Sequence, residues 1–220
     1  MSSITPISPR LSILPRLGLA LVVVLAFPIA LFALRYLLAN PPAAPLVVLS
    51  NRFATPFLPI HAAAGAVALA IGWVQFLPRF RAAHTRLHRL IGSGYVLACA
   101  ASGSAGLILA WGTNSGWGAA AGFGGLGIGL LTTTAMGLAC ALAGRFDSHR
   151  RWMIRSYALT FSAVTLRLQL LVTSQLGVDF HVSYPLLSFS CWIPNLILAE
   201  LLITGAARFA QNQPASRRAG

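Results

Sequence analysis

The side chains most able to do chemistry in this sequence are its histidines and one arginine inside an apolar run. Imidazole ligates haem iron and carries protons near neutral pH. His88 stands in QFLPRFRAAHTRLHRLIGSGY and His149 in GRFDSHRRWMIRSYALT, two basic clusters that each open a long apolar segment. Their placement predicts two imidazoles at one depth on different helices, where they could jointly ligate a haem b. Arg151 or Arg155 would then meet its propionates as charge-assisted partners. His61 is expected about 6 Å below the opposite surface, out of reach of that pair but near His181. His84 precedes His88 by four residues and would share its face if the helix began early enough. Zinc is not indicated, because no clustered Cys/His/carboxylate spacing is present.

Arg167 is the second outlier. It falls about 18 Å along a helix from Arg155, near the middle of a bilayer. A cation there costs at least about 2.5–3.5 kcal/mol and turns toward the protein interior to find partners. Asn195 is expected at a similar depth, and Glu200 about two turns nearer the arginine-rich side. The chemistries open to Arg167 are an anion or substrate site, a quinone-headgroup contact, a proton path or a structural hydrogen-bond node. Gln75 reads as an interfacial polar residue.

These groups must be positioned by membrane helices. Hydrophobic residues make up 57% of the 220 and charged residues 9%, against roughly 45–50% and roughly 25% in soluble proteins. The net charge of +13 sits in short clusters between apolar runs, not on the polar background of a nucleic-acid binder. Six stretches have about the 20 apolar residues a crossing needs: Leu17–Leu38, Phe57–Leu77, Leu90–Trp111, Ala119–Ala143, Ser156–Leu176 and Pro185–Ala207. All sixteen basic residues are arginines, and thirteen of them fall at the termini and in the second–third and fourth–fifth connections. Only Arg35 and Arg52 lie opposite. The positive-inside rule therefore predicts a bacterial inner-membrane protein with both termini cytoplasmic. The expected organisation is a cytoplasmic segment over 1–16, a membrane domain over 17–207 and a disordered polar tail over 208–220. The first apolar run, too long for a signal core and without a clean cleavage site, reads as a retained helix. Cys99, Cys140 and Cys191 all fall within spans and read as small core residues.

Helical spacing gathers the polar and small residues into stripes. His88, Gly92, Tyr95, Cys99, Ser102 and Gly106 share a face of the third span, and His61, Gly65, Ala68, Gly72 and Gln75 a face of the second. His149, Ser156, Thr160, Ala163 and Arg167 align on the fifth if that helix extends back to the histidine. Gly125 and Gly129 mark the fourth. Small faces of this kind let backbones approach, or they leave room for a flat cofactor. Asp147 is placed to cap the fifth helix. No phosphate-binding loop, nucleophile elbow, zinc-protease motif or nucleophile–base constellation is present. The stretch GFGGLGIG lies within a span and reads as packing.

His61, Gly65 and Gln75, followed by RFR, LHRLIGSGY and HRRWMIRSYALTFSAVTLRL, resemble the bacterial membrane family catalogued as domain of unknown function 2306. The resemblance runs from about residue 60 to 172. It carries His61, Gln75, Arg81, His88, Arg89, Gly92, Tyr95, His149, Arg150, Trp152, Met153, Arg155, Ser156 and Arg167 as family-pattern positions. It brings no activity with it. LLTTTAMG departs from the pattern, where an aromatic-rich segment is expected. Histidines at helix ends also give an architectural likeness to six-helix b-type cytochromes, although fold alone does not carry function. Two functions are thus expected. One is a haem-b protein moving electrons to or from quinone or a redox partner. The other is a cofactor-free transporter or membrane-organising protein contacting anionic lipid or solute.

Overall fold

In the computed structural model the described residues are 10–42 and 44–211, with side chains described between 17 and 205. The extreme N-terminal residues and most of the polar tail lie outside that range. Every regular element among the described residues is helical. The long helices are α1 (Arg10–Ala33), α3 (Ala54–Gly72), α5 (Thr85–Trp111), α6 (Gly116–Leu142) and α10 (Ile193–Gln211). Shorter ones are α2 (Leu46–Leu49), α4 (Pro78–Ala83), α7 (Phe146–Thr160), α8 (Ser162–Gln175) and α9 (Phe180–Ser190). Single 3₁₀ turns at Leu34–Leu37 and Trp73–Phe76 extend α1 and α3.

Among the described residues, five stretches are long and apolar enough to cross a membrane: Leu17–Leu37, Ala54–Phe76, Thr85–Trp111, Gly116–Leu142 and Phe180–Gly205. They correspond to five of the six expected spans. The sixth, expected over Ser156–Leu176, is divided between α7 and α8, of 15 and 14 residues. Arg167, Gln169 and a series of hydroxyl residues dilute its apolar character. The backbone nevertheless stays right-handed helical at Phe161 (φ −67°, ψ −12°).

The last stretch breaks between α9 and α10 for a chemical reason. Pro194 has no N–H to offer the carbonyl of Ser190, four residues back. Gln169 Nε2 donates to that carbonyl instead, at 3.2 Å. Membrane helices tolerate proline in this way when a neighbouring side chain takes the freed acceptor.

Packing runs α1–α3–α5–α6–α7, with α9 against α6, α10 against α7, and α8 reaching back to α1. One buried cluster joins Ala26, Ala30, Ala33, Ala66, Leu69 and Val164 where α1, α3 and α8 meet. A second joins Ala68, Tyr95, Cys99, Met153 and Tyr157 between α3, α5 and α7. The three cysteines are buried and unbridged. Exposed large apolar side chains such as Leu97, Leu142, Leu171 and Leu201 cover the outer surface of the bundle, as expected where lipid is the solvent.

Two expectations change at helix starts. Arg145, not Asp147, is the N-cap of α7, and Asp147 lies in the first turn without a capping bond. Its charge still suits the positive end of the helix dipole. Asp179 does cap: its side chain accepts from the N–H groups of His181 and Val182 in α9. His84 is the N-cap of α5 with φ −132° and ψ 59°, outside the helix whose face it was expected to share.

Candidate functional site

The polar stripes of α3, α5 and α7 meet along one seam, because α7 begins at Phe146 and so includes His149. At its centre Tyr95 Oη lies 2.8 Å from Ser156 Oγ and 3.0 Å from Thr160 Oγ1. Thr134 Oγ1 of α6 lies 2.7 Å from Ser156 Oγ. All four residues are buried. Hydroxyls can be both donor and acceptor, so this group satisfies itself without water.

The glycines of the stripes make room for side chains of neighbouring helices. A Cβ on Gly72 would stand 2.7 Å from the Tyr95 ring and 2.6 Å from the Tyr157 ring. One on Gly106 would stand 3.1 Å from His61 Nδ1, and one on Gly92 3.4 Å from Gln75 Oε1. Of the two readings of these small faces, the contacts here are those of packing.

On the arginine-poor side of this seam lies a partly open cavity of about 260 Å³, lined by α1, α3, α5, α6, α7, α8, α9 and the 38–53 connection. Its wall is mainly apolar, with Ile29, Val48, Leu58, Leu126, Leu166 and Leu170 among its residues. Its polar groups are Arg35, Tyr36, Asn51, His61, Ser102, Thr113, Thr160, Ser162, Arg167 and Tyr184. Arg167 Nη1 donates to Ala163 O on its own helix at 2.8 Å, and its other N–H groups have no protein acceptor among the described residues. Arg35 donates to Pro42 O at 2.9 Å and sits over the Phe32 ring.

Neither arginine has a carboxylate partner among the described residues. The chain contains three acids, and none lines the cavity. Glu200 pairs with Arg155 through both carboxylate oxygens, 2.9 Å on the Nη2 side. Asp179 caps α9, and Asp147 is at the start of α7. Two guanidinium charges therefore face a largely apolar space with no carboxylate to balance them.

His61 also faces this cavity. Its Nδ1 is 2.9 Å from Ser102 O, and Ser102 Oγ donates to His61 O at 3.1 Å. His61 is exposed and lines the cavity. His181 is exposed in the first turn of α9, with its ring edge-on to Phe180. The hydrogen bonds of His61 among the described residues are to Ser102 of α5.

At the arginine-rich end, His149 Nδ1 lies 2.8 Å from Gly137 O. His88 is near enough to His149, Arg81 and Arg89 for their charges to act on it. His88 Nδ1 and Gln75 Nε2 are occluded and without a hydrogen-bond partner. Arg151 is exposed and donates to Ser148 Oγ at 3.1 Å. Arg155, expected at a propionate, is held by Glu200 and stacks on Trp152. Asn195 is not a partner of Arg167: it bonds Thr165 Oγ1 at 3.0 Å and the Ala158 and Cys191 carbonyls, fastening α10 to α7 and α8. No group of three or more His, Cys, Asp or Glu able to hold a metal ion occurs among the described residues.

No curated protein and no solved structure matches the chain. A family model does. It covers residues 58–203, from the start of the cavity's α3 wall to the middle of α10, past Glu200, and its description is "Predicted membrane protein (DUF2306)". The helical bundle, its apolar outer surface and this match together make the chain a member of the DUF2306 family of membrane proteins.

Proposed function

We propose that this protein is a cofactor-free membrane protein that binds an anionic amphiphile, with the head at Arg167 and the tail along the apolar wall of the cavity. The observation that carries this reading is the pair of cavity arginines without a carboxylate. Moving a guanidinium out of water is costly unless an anion compensates it. A carboxylate or phosphate head accepts charge-assisted hydrogen bonds from arginine, and an apolar tail suits Ile29, Val48, Leu58 and Leu166. Transport or retention of such a molecule follows from one binding step, and lipid is its immediate source. The test is equilibrium binding of decanesulfonate to the protein in zwitterionic nanodiscs. Saturable binding at one site per chain is expected, and non-saturable partitioning equal to that of empty discs would remove the reading.

The topology that serves this function has six crossings, with α7 and α8 acting as one rod through Phe161 and both termini in the cytoplasm of a bacterial inner membrane. Arginine placement supports it, since the 78–89 and 145–155 regions lie at one end of the bundle. The membrane domain then spans 17–207, between the two terminal segments. Reporter fusions at each terminus should both report the cytoplasm. Opposite locations would mean an odd number of crossings.

A second reading is a haem b between His88 and His149. It is favoured by the Nδ1 contact of His149 with the Gly137 carbonyl, which orients a ring for ligation through Nε2. Arg155 is already paired with Glu200, so the propionate contacts would fall to Arg151. Protein purified from haem-replete cells should show no Soret or α-band change between reduced and oxidised states if the anion reading holds. Bands lost together in His88→Ala and His149→Ala would establish the haem and its two ligands, and a change of the bands on adding a quinol would then identify a quinone partner.

A further inference from the structure

We propose that anion binding in the cavity is coupled to uptake of a proton by His61, so that this residue makes the site pH-responsive. The inference rests on the anion reading above and deepens it. Hydrogen bonding fixes which nitrogen is available. Ser102 O, which can only accept, lies 2.9 Å from Nδ1, closer than Ser102 Oγ at 3.2 Å, and Ser102 Oγ can give its own proton to His61 O at 3.1 Å. Nδ1 therefore carries the proton of the neutral ring, and Nε2, without a protein partner among the described residues, keeps its lone pair.

Small residues hold that geometry. A Cβ on Gly106 would crowd the His61 ring at 3.1–3.2 Å, and one on Gly65 would crowd Ser102 Oγ at 3.1 Å. The pair sits in a slot built by two glycines from the facing helices. A ring held this way has one free task, exchanging a proton at the nitrogen turned away from Ser102.

The charges around the cavity decide when that exchange occurs. Its α1 side and the adjoining 3₁₀ turn contribute Arg35 and Tyr36, α5 contributes Cys99, α8 Arg167 and α9 Tyr184. The stretch Phe123–Leu130 of α6 adds no titratable group, and α3 adds none besides His61. The cavity lining holds two arginines and no carboxylate. A bound anion supplies an acceptor for a new N–H at Nε2 of His61 and a counter-charge for the cations around it. By linkage, whatever favours the proton when the anion is bound favours the anion when the proton is bound.

The test uses the full chain in zwitterionic nanodiscs with decanesulfonate, whose own charge does not change over the range studied. Affinity should rise as pH falls from about 8 to about 5.5, with a limiting slope of about tenfold per pH unit. Calorimetry in two buffers of different ionisation enthalpy should show uptake approaching about one proton per anion. His61→Gln should bind with an affinity that no longer changes with pH. Wild-type binding with flat affinity and no proton uptake would overturn the proposal while leaving the anion reading standing. A slope that survives in His61→Gln would also overturn it. Absence of binding at every pH removes both. Should His61→Gln fail to fold, the wild-type buffer comparison decides alone.

Discussion

Replacing Arg167 by leucine is expected to reduce decanesulfonate binding by at least tenfold to a hundredfold, without loss of the folded bundle. A hydrogen bond to a charged group contributes about 1.5–3 kcal/mol, and the N–H groups of Arg167 not used on Ala163 are free for an anion. In the structure the side chain makes a single protein hydrogen bond, within its own helix. Leucine leaves no buried acceptor stranded, because a helical carbonyl already serves the backbone. The folded state should therefore keep its melting temperature or gain slightly, since a costly charge has left the bilayer interior. Dialysis binding and thermal unfolding of the same preparation check both halves. A strong fall in stability with binding intact would make Arg167 a structural node, the other role open to a buried arginine.

The largest effect on stability is expected at Gly122, not in the cavity. A Cβ there would stand 2.7 Å from Ser188 Cβ and 2.9 Å from the Ser188 backbone carbon. Backbone cannot swing aside as a flexible side chain does, so Gly122→Ala should force α6 and α9 apart. Overpacking of this kind costs about 1–3 kcal/mol. The movement should also strain the bonds from Trp192 Nε1 to the Gly122 and Ser188 carbonyls. Thermal unfolding in detergent should show a clear drop for Gly122→Ala. Gly124→Ala, where a Cβ meets nothing within 4 Å, should match the wild type.

Much of this arrangement could be read from residue spacing. The face of α5 from His88 to Gly106 and the face of α3 from His61 to Gln75 both turn inward, because a 3.6-residue period fixes which side chains share a direction. The glycines on those faces were legible as small positions but not as slots. Their function depends on which large residue of another helix, Tyr95, Tyr157 or His61, fills the space. Arg167 stood out through its depth alone. Its neighbours Arg35, Tyr36 and Tyr184 did not, since they come from a 3₁₀ turn and from the start of α9, where periodicity gives no direction.

Charge pairing was harder to read than packing. Glu200 was placed about two turns nearer the arginine-rich side than Arg167, still about one turn short of Arg155, and the ion pair follows only once α10 is seen to lie against α7. That pairing matters to the account in two ways. It engages Arg155, expected at a propionate, and it holds Glu200, whose side chain is 43% exposed, away from Arg167. The helix at Ser156–Leu176 shows the converse. Its hydroxyls and Arg167 serve the seam and cavity, and those same residues weaken its apolar signature as a crossing.

The measurement that tests the central claim most directly is photoaffinity labelling with an alkyl carboxylate carrying a diazirine on its tail, in nanodiscs, followed by peptide mass spectrometry. The account predicts adducts on cavity residues between Ile29 and Tyr36, between Leu58 and Leu69, and between Leu159 and Leu170. Excess decanesulfonate should suppress them, and they should be lost in Arg167→Leu. Labelling confined to lipid-facing positions such as Leu97, Leu142 and Leu201, unaffected by competitor or substitution, would contradict it.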